Sequence, residues 1–176
     1  MKFCIVVGTR PDIIKLAPII KYCNKNELDY FVIHTGQHYS YNMDKLFFEE
    51  LELSQPKYNL GIGSRSHAEM TGAMLMDIEK VLINEKPDLV IVLGDTNSTL
   101  AGVLAASKLH IKVAHVESGL RSYDRRMPEE INRIVCDHLS DYLFAPTHVA
   151  YGNLLQEGLP REKIFEHFSF DYSVYY

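Results

Sequence analysis

Five apolar residues in a row, Leu89-Val90-Ile91-Val92-Leu93, run into Gly94-Asp95-Thr96 and then into an Ala/Leu-rich stretch with helical spacing. A short continuous apolar run ended by a turn residue fits a strand buried on both faces, the habit of parallel sheets covered by helices. Asp95 or Thr96 can serve as the N-cap of the helix that follows. A carboxylate is thereby set at the carboxyl end of a central strand, the edge where open α/β sheets bind ligands. Asp95 carries two readings from this pattern, a helix cap or a site residue.

The same unit recurs along the chain. Lys2–Val7 (KFCIVV) reads as a first buried strand, and Pro11 suits the first turn of a helix with Ile13, Leu16, Ala17, Ile20 and Cys23 on its apolar face. Pro18 inside that pattern predicts a kink or a loss of stability. Residues 29–35 form a second strand, 41–53 a helix and 54–65 a loop. Ser66 with Glu69 is a capping box that opens a helix ending near Lys86-Pro87. After the central unit come a strand at Lys112–Val116, a polar loop over 117–127, a helix opened by Pro128 and a fifth strand over 141–145. Thr147 then caps a helix that Gly158 and Pro160 stop. Strands alternating with helices imply βαβ units, hence a Rossmann-like α/β fold with a parallel sheet and helices on both faces. Right-handed crossovers gather the loops at residues 8–10, 36–38, 94–96 and 117–119 and at Pro146 on one edge.

Several function classes are excluded. The net charge of −5 leaves no basic footprint for nucleic acid. No segment approaches the roughly 18 apolar residues of a membrane span, and the first apolar run is too short for a signal-peptide core. Cys4, Cys23 and Cys136 are odd in number and far apart, which fits a reducing compartment, so a soluble cytoplasmic protein is expected. Histidines are plentiful, but no His-Glu-x-x-His or similar spacing occurs, and no metal centre is expected.

The loops on the common edge carry the polar residues with chemical potential. Arg10 precedes a helix start and Lys15 lies a turn further on, so two cations beside helix N–H groups form a candidate anion site; a turn glycine with two solvated charges is the plainer reading. No G-x-G-x-x-G fingerprint is present. Glu117 leaves its strand beside the Asp95 loop if the two strands pair, and two carboxylates at one pocket can divide acid and base roles. An ion pair of Glu117 with Arg121 or Arg125 competes with that reading. His115 lies within the strand, where a hydrogen-bonded core histidine is the plain reading. Glu129 and Glu130, directly after Pro128, suit the helix dipole without any further role.

Gly8-Thr9-Arg10-Pro11 with Lys15, Gly36-Gln37-His38, Gly94-Asp95-Thr96, His115-Val116-Glu117-Ser118-Gly119-Leu120-Arg121 and Pro128-Glu129-Glu130-x-Asn132-Arg133 together resemble the non-hydrolysing UDP-N-acetylglucosamine 2-epimerases, in order and near-family spacing. The resemblance implies two Rossmann-like domains facing across a cleft, the GT-B arrangement, and a reaction without metal, nicotinamide or other cofactor. UDP leaves C1 as the C2 proton is removed, giving 2-acetamidoglucal; re-addition gives UDP-N-acetylmannosamine. The acid/base set then maps onto Asp95, Glu117 and Glu129. Arg10, Lys15, His115 and Arg133 map onto substrate binding. Gln37 and His38 match a loop that helps hold a second, activating UDP-sugar in bacterial members.

The resemblance covers residues 1–165, the N-terminal half of a family member, and residues 166–176 form an aromatic-rich tail unlike the family. In that tail Phe168, Phe170, Tyr172, Val174 and Tyr176 share one face of a candidate strand, which either pairs with the sheet edge beside residues 141–145 or lies at the periphery. The expected partners are a UDP-sugar and either a second copy of the chain or a C-terminal domain, without which the chain is expected to be inactive. A non-catalytic UDP-sugar-binding or regulatory domain is the alternative; half of a B-type glycosyltransferase is disfavoured.

Overall fold

A computed structural model of the chain describes residues 1–36 and 41–166. Its elements run β1 (Lys2–Val7), α1 (Arg10–Lys25), β2 (Asp29–His34), α2 (Tyr41–Glu50), β3 (Tyr58–Asn59), α3 (His67–Glu85), β4 (Leu89–Leu93), α4 (Asn97–Lys108), β5 (Lys112–Val116), α5 (Pro128–Leu139), β6 (Tyr142–Ala145), α6 (His148–Gln156), a 3-10 turn (Arg161–Lys163) and β7 (Ile164–Glu166). The seven strands form one sheet in the order β3-β2-β1-β4-β5-β6-β7, every neighbouring pair parallel. The chain starts in the middle, builds outwards to β3, then returns to the other side of β1. The reversal places a crevice at the carboxyl ends of β1 and β4, the position where such sheets take ligands.

Alternation along the inner strands sorts their side chains between two cores. Cys4, Val6, Val90 and Val92 pack with Met70, Met74, Ile78 and Leu82 of α3 and the small face of α4. Ile5, Val7, Ile91 and Leu93 pack on the opposite face with Ile13, Leu16 and Ile20 of α1 and with Phe48. Both faces of β1 and β4 are therefore dry, which accounts for their unbroken apolar sequences. The Ser66–Glu69 capping box starts α3, and Lys86 ends it in the left-handed conformation at φ 50°. Helix α1 continues through Pro18, so Ile14 lacks the amide donor that residue 18 ordinarily supplies.

Two strands exceed the five legible in the sequence. β3 has two residues and β7 three, too few for any periodicity to register. β7 fills the sheet edge beside β6, the edge at which the tail's aromatic run was one candidate for pairing. That run, within residues 167–176, and the loop residues Gln37 and His38 lie outside the described residues.

The crevice depends on a close approach at Gly8. A Cβ added there would stand 1.9 Å from Ser98 Oγ and 2.8 Å from Thr35 Oγ1. Ser98 and Thr35 are buried and share a 2.8 Å hydrogen bond, so neither can swing aside without breaking it. Gly8 lets the β1–α1 loop press against the start of α4, bringing Lys15 towards the loop of Asp95. Gly8→Ala should destabilise the fold by about 1–3 kcal/mol through overpacking, seen as a fall in Tm of several degrees. An unchanged Tm would mean that the β1–α1 loop has slack.

Candidate active site at the carboxyl ends of the central strands

The last paired rung of β4 and β5 is Leu93↔Val116. Beyond it Gly94 and Glu117 both adopt left-handed backbone conformations, at φ 68° and 64°. The Glu117 carboxylate consequently lies over Gly94, its Oε2 3.7 Å from where a Cβ on that glycine would be. Asp95 follows directly. Thr96, and not Asp95, is the N-cap of α4: its side chain accepts from the Thr99 amide. The Asp95 carboxylate instead pairs with Arg133 of α5 at 2.5 Å.

Glu117 is paired with Lys15 of α1 at 2.8 Å, and neither Arg121 nor Arg125 takes that place. Arg121 is drawn away by two other carboxylates, Asp137 at 2.8 Å and Glu157 at 2.7 Å. Lys15–Glu117 and Arg133–Asp95 thus form two ion pairs at the ends of neighbouring strands, with a cation from α1 on one side and one from α5 on the other. Glu129 stands exposed at the second position of α5, with no ion pair among the described residues. Arg10 lies with its guanidinium 5.2 Å from the centre of the Phe47 ring, a cation–π distance.

At the first loop two amides ahead of α1 are already satisfied within the chain. The amides of Gly8 and Thr9 both donate to one oxygen of Asp12, at 3.0 Å each. Burial pushes the Asp12 carboxyl above its usual range, and the two amide bonds offset only part of that push. Lys15, one turn further along α1, is turned to Glu117. The pattern Thr9-x-x-Asp12 resembles a capping box and is the sequence signal that identifies this arrangement.

His115 sits inside the fold, behind the loop of Asp95. Its ring is buried, with Nε2 donating to the Gly94 carbonyl at 2.7 Å and Nδ1 2.7 Å from Asp137 Oδ1. Both nitrogens are engaged within the fold, in agreement with the plain reading of a core histidine. Arg133 likewise meets two carboxylates of the chain, Asp95 and, at 2.9 Å, Glu130.

Glu130 is the residue whose role its position after a proline hides. It is 1% exposed, and its two oxygens accept the amides of Ser122 and Tyr123 at 2.9 Å each. Burial alone would raise its pKa, but the Ser122 amide, Arg133 and the Tyr123 amide outweigh it and hold the carboxyl at about 2. Glu130, Arg133 and Asp137 recur at intervals of three and four residues, so one charged face of α5 turns inward onto the two loops. That spacing was the available signal for Glu130 and Asp137. Among the described residues no cluster of three or more His, Cys, Asp or Glu is arranged to hold a metal ion.

A sequence model of the family described as UDP-N-acetylglucosamine 2-epimerase matches residues 21–167. A UDP-N-acetylglucosamine 2-epimerase of Methanocaldococcus jannaschii is 65% identical over 165 residues, covering 94% of this chain and 45% of the relative. A UDP-2,3-diacetamido-2,3-dideoxy-D-glucuronate 2-epimerase of Pseudomonas aeruginosa is 52% identical over 163 residues, covering 92% of this chain and 46% of the relative. Among solved structures, Methanocaldococcus jannaschii UDP-GlcNAc 2-epimerase in complex with UDP-GlcNAc and UDP has a TM-score of 0.91 at 65% identity, over 94% of this chain and 46% of that one. A lipopolysaccharide outer core galactosyltransferase at 13% identity and TM-score 0.66 shares the fold. The chain spans about half the length of the curated relatives it matches.

The Glu130 clamp predicts an acid-sensitive loop. Its folded pKa of about 2 lies below the ordinary 4.5, so the stability it contributes is complete above pH 4.5 and is lost as pH falls towards 2. Glu130→Gln should lower stability near neutrality by about 1–3 kcal/mol, the scale of hydrogen bonds to a charged group, and the gap to wild type should close as the pH is lowered towards 2. Denaturant melts across that range measure it; a gap independent of pH would show that the charge plays no part.

Proposed function

The chain belongs to the UDP-N-acetylglucosamine 2-epimerase family, and from that premise we propose that it supplies the acid–base wall of an enzyme interconverting UDP-N-acetylglucosamine and UDP-N-acetylmannosamine. Its fold is one Rossmann-like half of the GT-B arrangement. The observation that carries the reading is the adjacency of two carboxylates, Asp95 and Glu117, each ion-paired and both at the carboxyl ends of neighbouring central strands.

In the proposed reaction the C2–H bond breaks, its electron pair forms the C1=C2 bond, and UDP departs with the pair of the C1–O bond. Re-addition restores the C1–O bond and returns a proton to C2 on the opposite face. Such a sequence needs a base at C2 and positive charge or a proton donor where the diphosphate leaves. Asp95, Glu117 and Glu129 form the acid–base set. Lys15 and Arg133 hold the first two in fixed directions, and Arg10 lies at the crevice on the substrate side. The diphosphate is held largely by the facing half of the cleft. His115 contributes by fixing Gly94.

Two expectations test the reading. With UDP-N-acetylglucosamine in D₂O, proton NMR should detect negligible deuterium entry at C2 for the 176-residue chain alone, because one wall neither excludes water nor positions C2. Supplying the C-terminal half of the Methanocaldococcus jannaschii relative should start the exchange. In that pairing Asp95→Asn, Glu117→Gln and Glu129→Gln should each cut turnover by about 100-fold or more, with little change in Tm. Mild and equal losses at all three positions would refute the acid–base assignment. Turnover of UDP-2,3-diacetamido-2,3-dideoxy-D-glucuronate in place of UDP-N-acetylglucosamine would refute the substrate and keep the reaction.

A further inference from the structure

Asp137 lies on α5, is 0% exposed, and touches neither carboxylate of the candidate site, yet both loops that carry them are tied to it. Through Oδ1 it meets His115 Nδ1 at 2.7 Å, and the opposite ring nitrogen of His115 donates to the Gly94 carbonyl at 2.7 Å. Gly94 is covalently bonded to Asp95, so this branch ends one peptide from the first carboxylate. Through Oδ2 Asp137 accepts the Gly119 amide at 3.0 Å and pairs with Arg121 Nη1 at 2.8 Å. That second branch ends two residues from Glu117. Burial pushes the Asp137 carboxyl up, but His115 and Arg121 outweigh it and hold the group below the usual carboxylate range.

The backbone that Asp137 holds is the kind that needs holding. Glu117 at φ 64° is a side-chain-bearing residue in the left-handed region, and Gly119 at φ 79° follows two residues later. A non-glycine residue there costs about 1–3 kcal/mol and persists only where its surroundings over-determine it. Gly119 is also pressed against α6, since a Cβ on it would lie 2.3 Å from the Ala150 carbonyl oxygen. Arg121 is anchored a second time by Glu157, through Nε and Nη2 at 2.7 Å each. Asp137 is where these restraints on the Glu117 loop join the one on the Asp95 loop.

We propose that Asp137 is a positioning residue: acting through His115 on one side and through the Gly119 amide and Arg121 on the other, it sets the placement of Asp95 relative to Glu117. The proposal rests on reading that pair as the acid–base site. The carboxylate serves both branches because each of its oxygens accepts; an asparagine could still meet a neutral His115 ring with its amide and the Gly119 amide with its oxygen, whereas a leucine of similar size loses both branches.

The test is made on the whole chain by NMR, with carboxyl ¹³C labels on Asp and Glu and ¹⁵N on the backbone. In Asp137→Leu the carboxyl signals of Asp95 and Glu117 should move from their wild-type positions together with the Gly119 amide. Unmoved Asp95 and Glu117 signals in a folded variant, even one of lower Tm, would overturn the proposal and leave Asp137 a purely structural residue. If Asp137→Leu does not fold, His115→Gln carries the same test for one branch, since glutamine reaches only one of the two histidine partners. Its Asp95 signal should move while the Gly119 amide stays in place, and an unmoved Asp95 signal would overturn the proposal. In the chain paired with the C-terminal half of the relative, Asp137→Leu should lower kcat by up to about 100-fold, the scale of a 1 Å misplacement, with KM within about threefold. Unchanged kcat would overturn it. If the wild-type pairing shows no epimerisation but the carboxyl signals move as stated, the functional reading fails and the positioning role of Asp137 stands.

Discussion

β4 and β5 pair in parallel from Leu89↔Lys112 to Leu93↔Val116, and both strands stop at that last rung. The candidate site depends on this register. The Gly94 amide extends the ladder by one bond to the Val116 carbonyl at 3.0 Å, after which two left-handed residues, Gly94 and Glu117, turn the chains out of the sheet. Their side-by-side exit makes Asp95 and Glu117 neighbours, although twenty-one residues of helix, turn and strand separate them in the chain. A slip of one residue would carry Glu117 to the other face of the sheet and dissolve the pair. Register, in turn, is held by the sorting of Val90 and Val92 to one core and Ile91 and Leu93 to the other.

Charge taken out of water must be paired where it lands, and α5 does most of that pairing. Glu130 meets Arg133 and two amides, Arg133 meets Asp95, and Asp137 meets His115, Arg121 and the Gly119 amide. Such buried pairs contribute little net stability over an apolar alternative, but removing one partner strands the other. Their effect here is direction: each loop side chain or amide has one low-energy place to be. Lys15 does the same for Glu117 from the opposite helix, α1.

The first loop shows the opposite use of a carboxyl group. Asp12 takes the amides of Gly8 and Thr9, so two donors just ahead of α1 are satisfied from within. Lys15, one turn further along α1, is then committed to Glu117. The same sheet edge therefore presents two ion-paired carboxylates at β4 and β5 and an internally satisfied loop at β1.

Alternating apolar strands and capped helices determined the parallel sheet, and the loop motifs determined the family, because both are written in local spacing. The Ser66–Glu69 box and the apolar runs at β1 and β4 are read correctly on that basis. β3 and β7 escape it, since two or three residues carry no period. Which charges meet was decided only by the tertiary structure. Asp95 was open between cap and site until Thr96 took the cap, Glu117 turned to Lys15 instead of Arg121, and His115 closed onto Asp137 and Gly94. Glu130, outwardly one more acid at a helix start, became a buried clamp. A sequence states where ionisable groups sit along the chain, but an ion pair or hydrogen bond depends on separations of about 3 Å through space, and only the folded packing of α1, α5 and the two strand ends sets those.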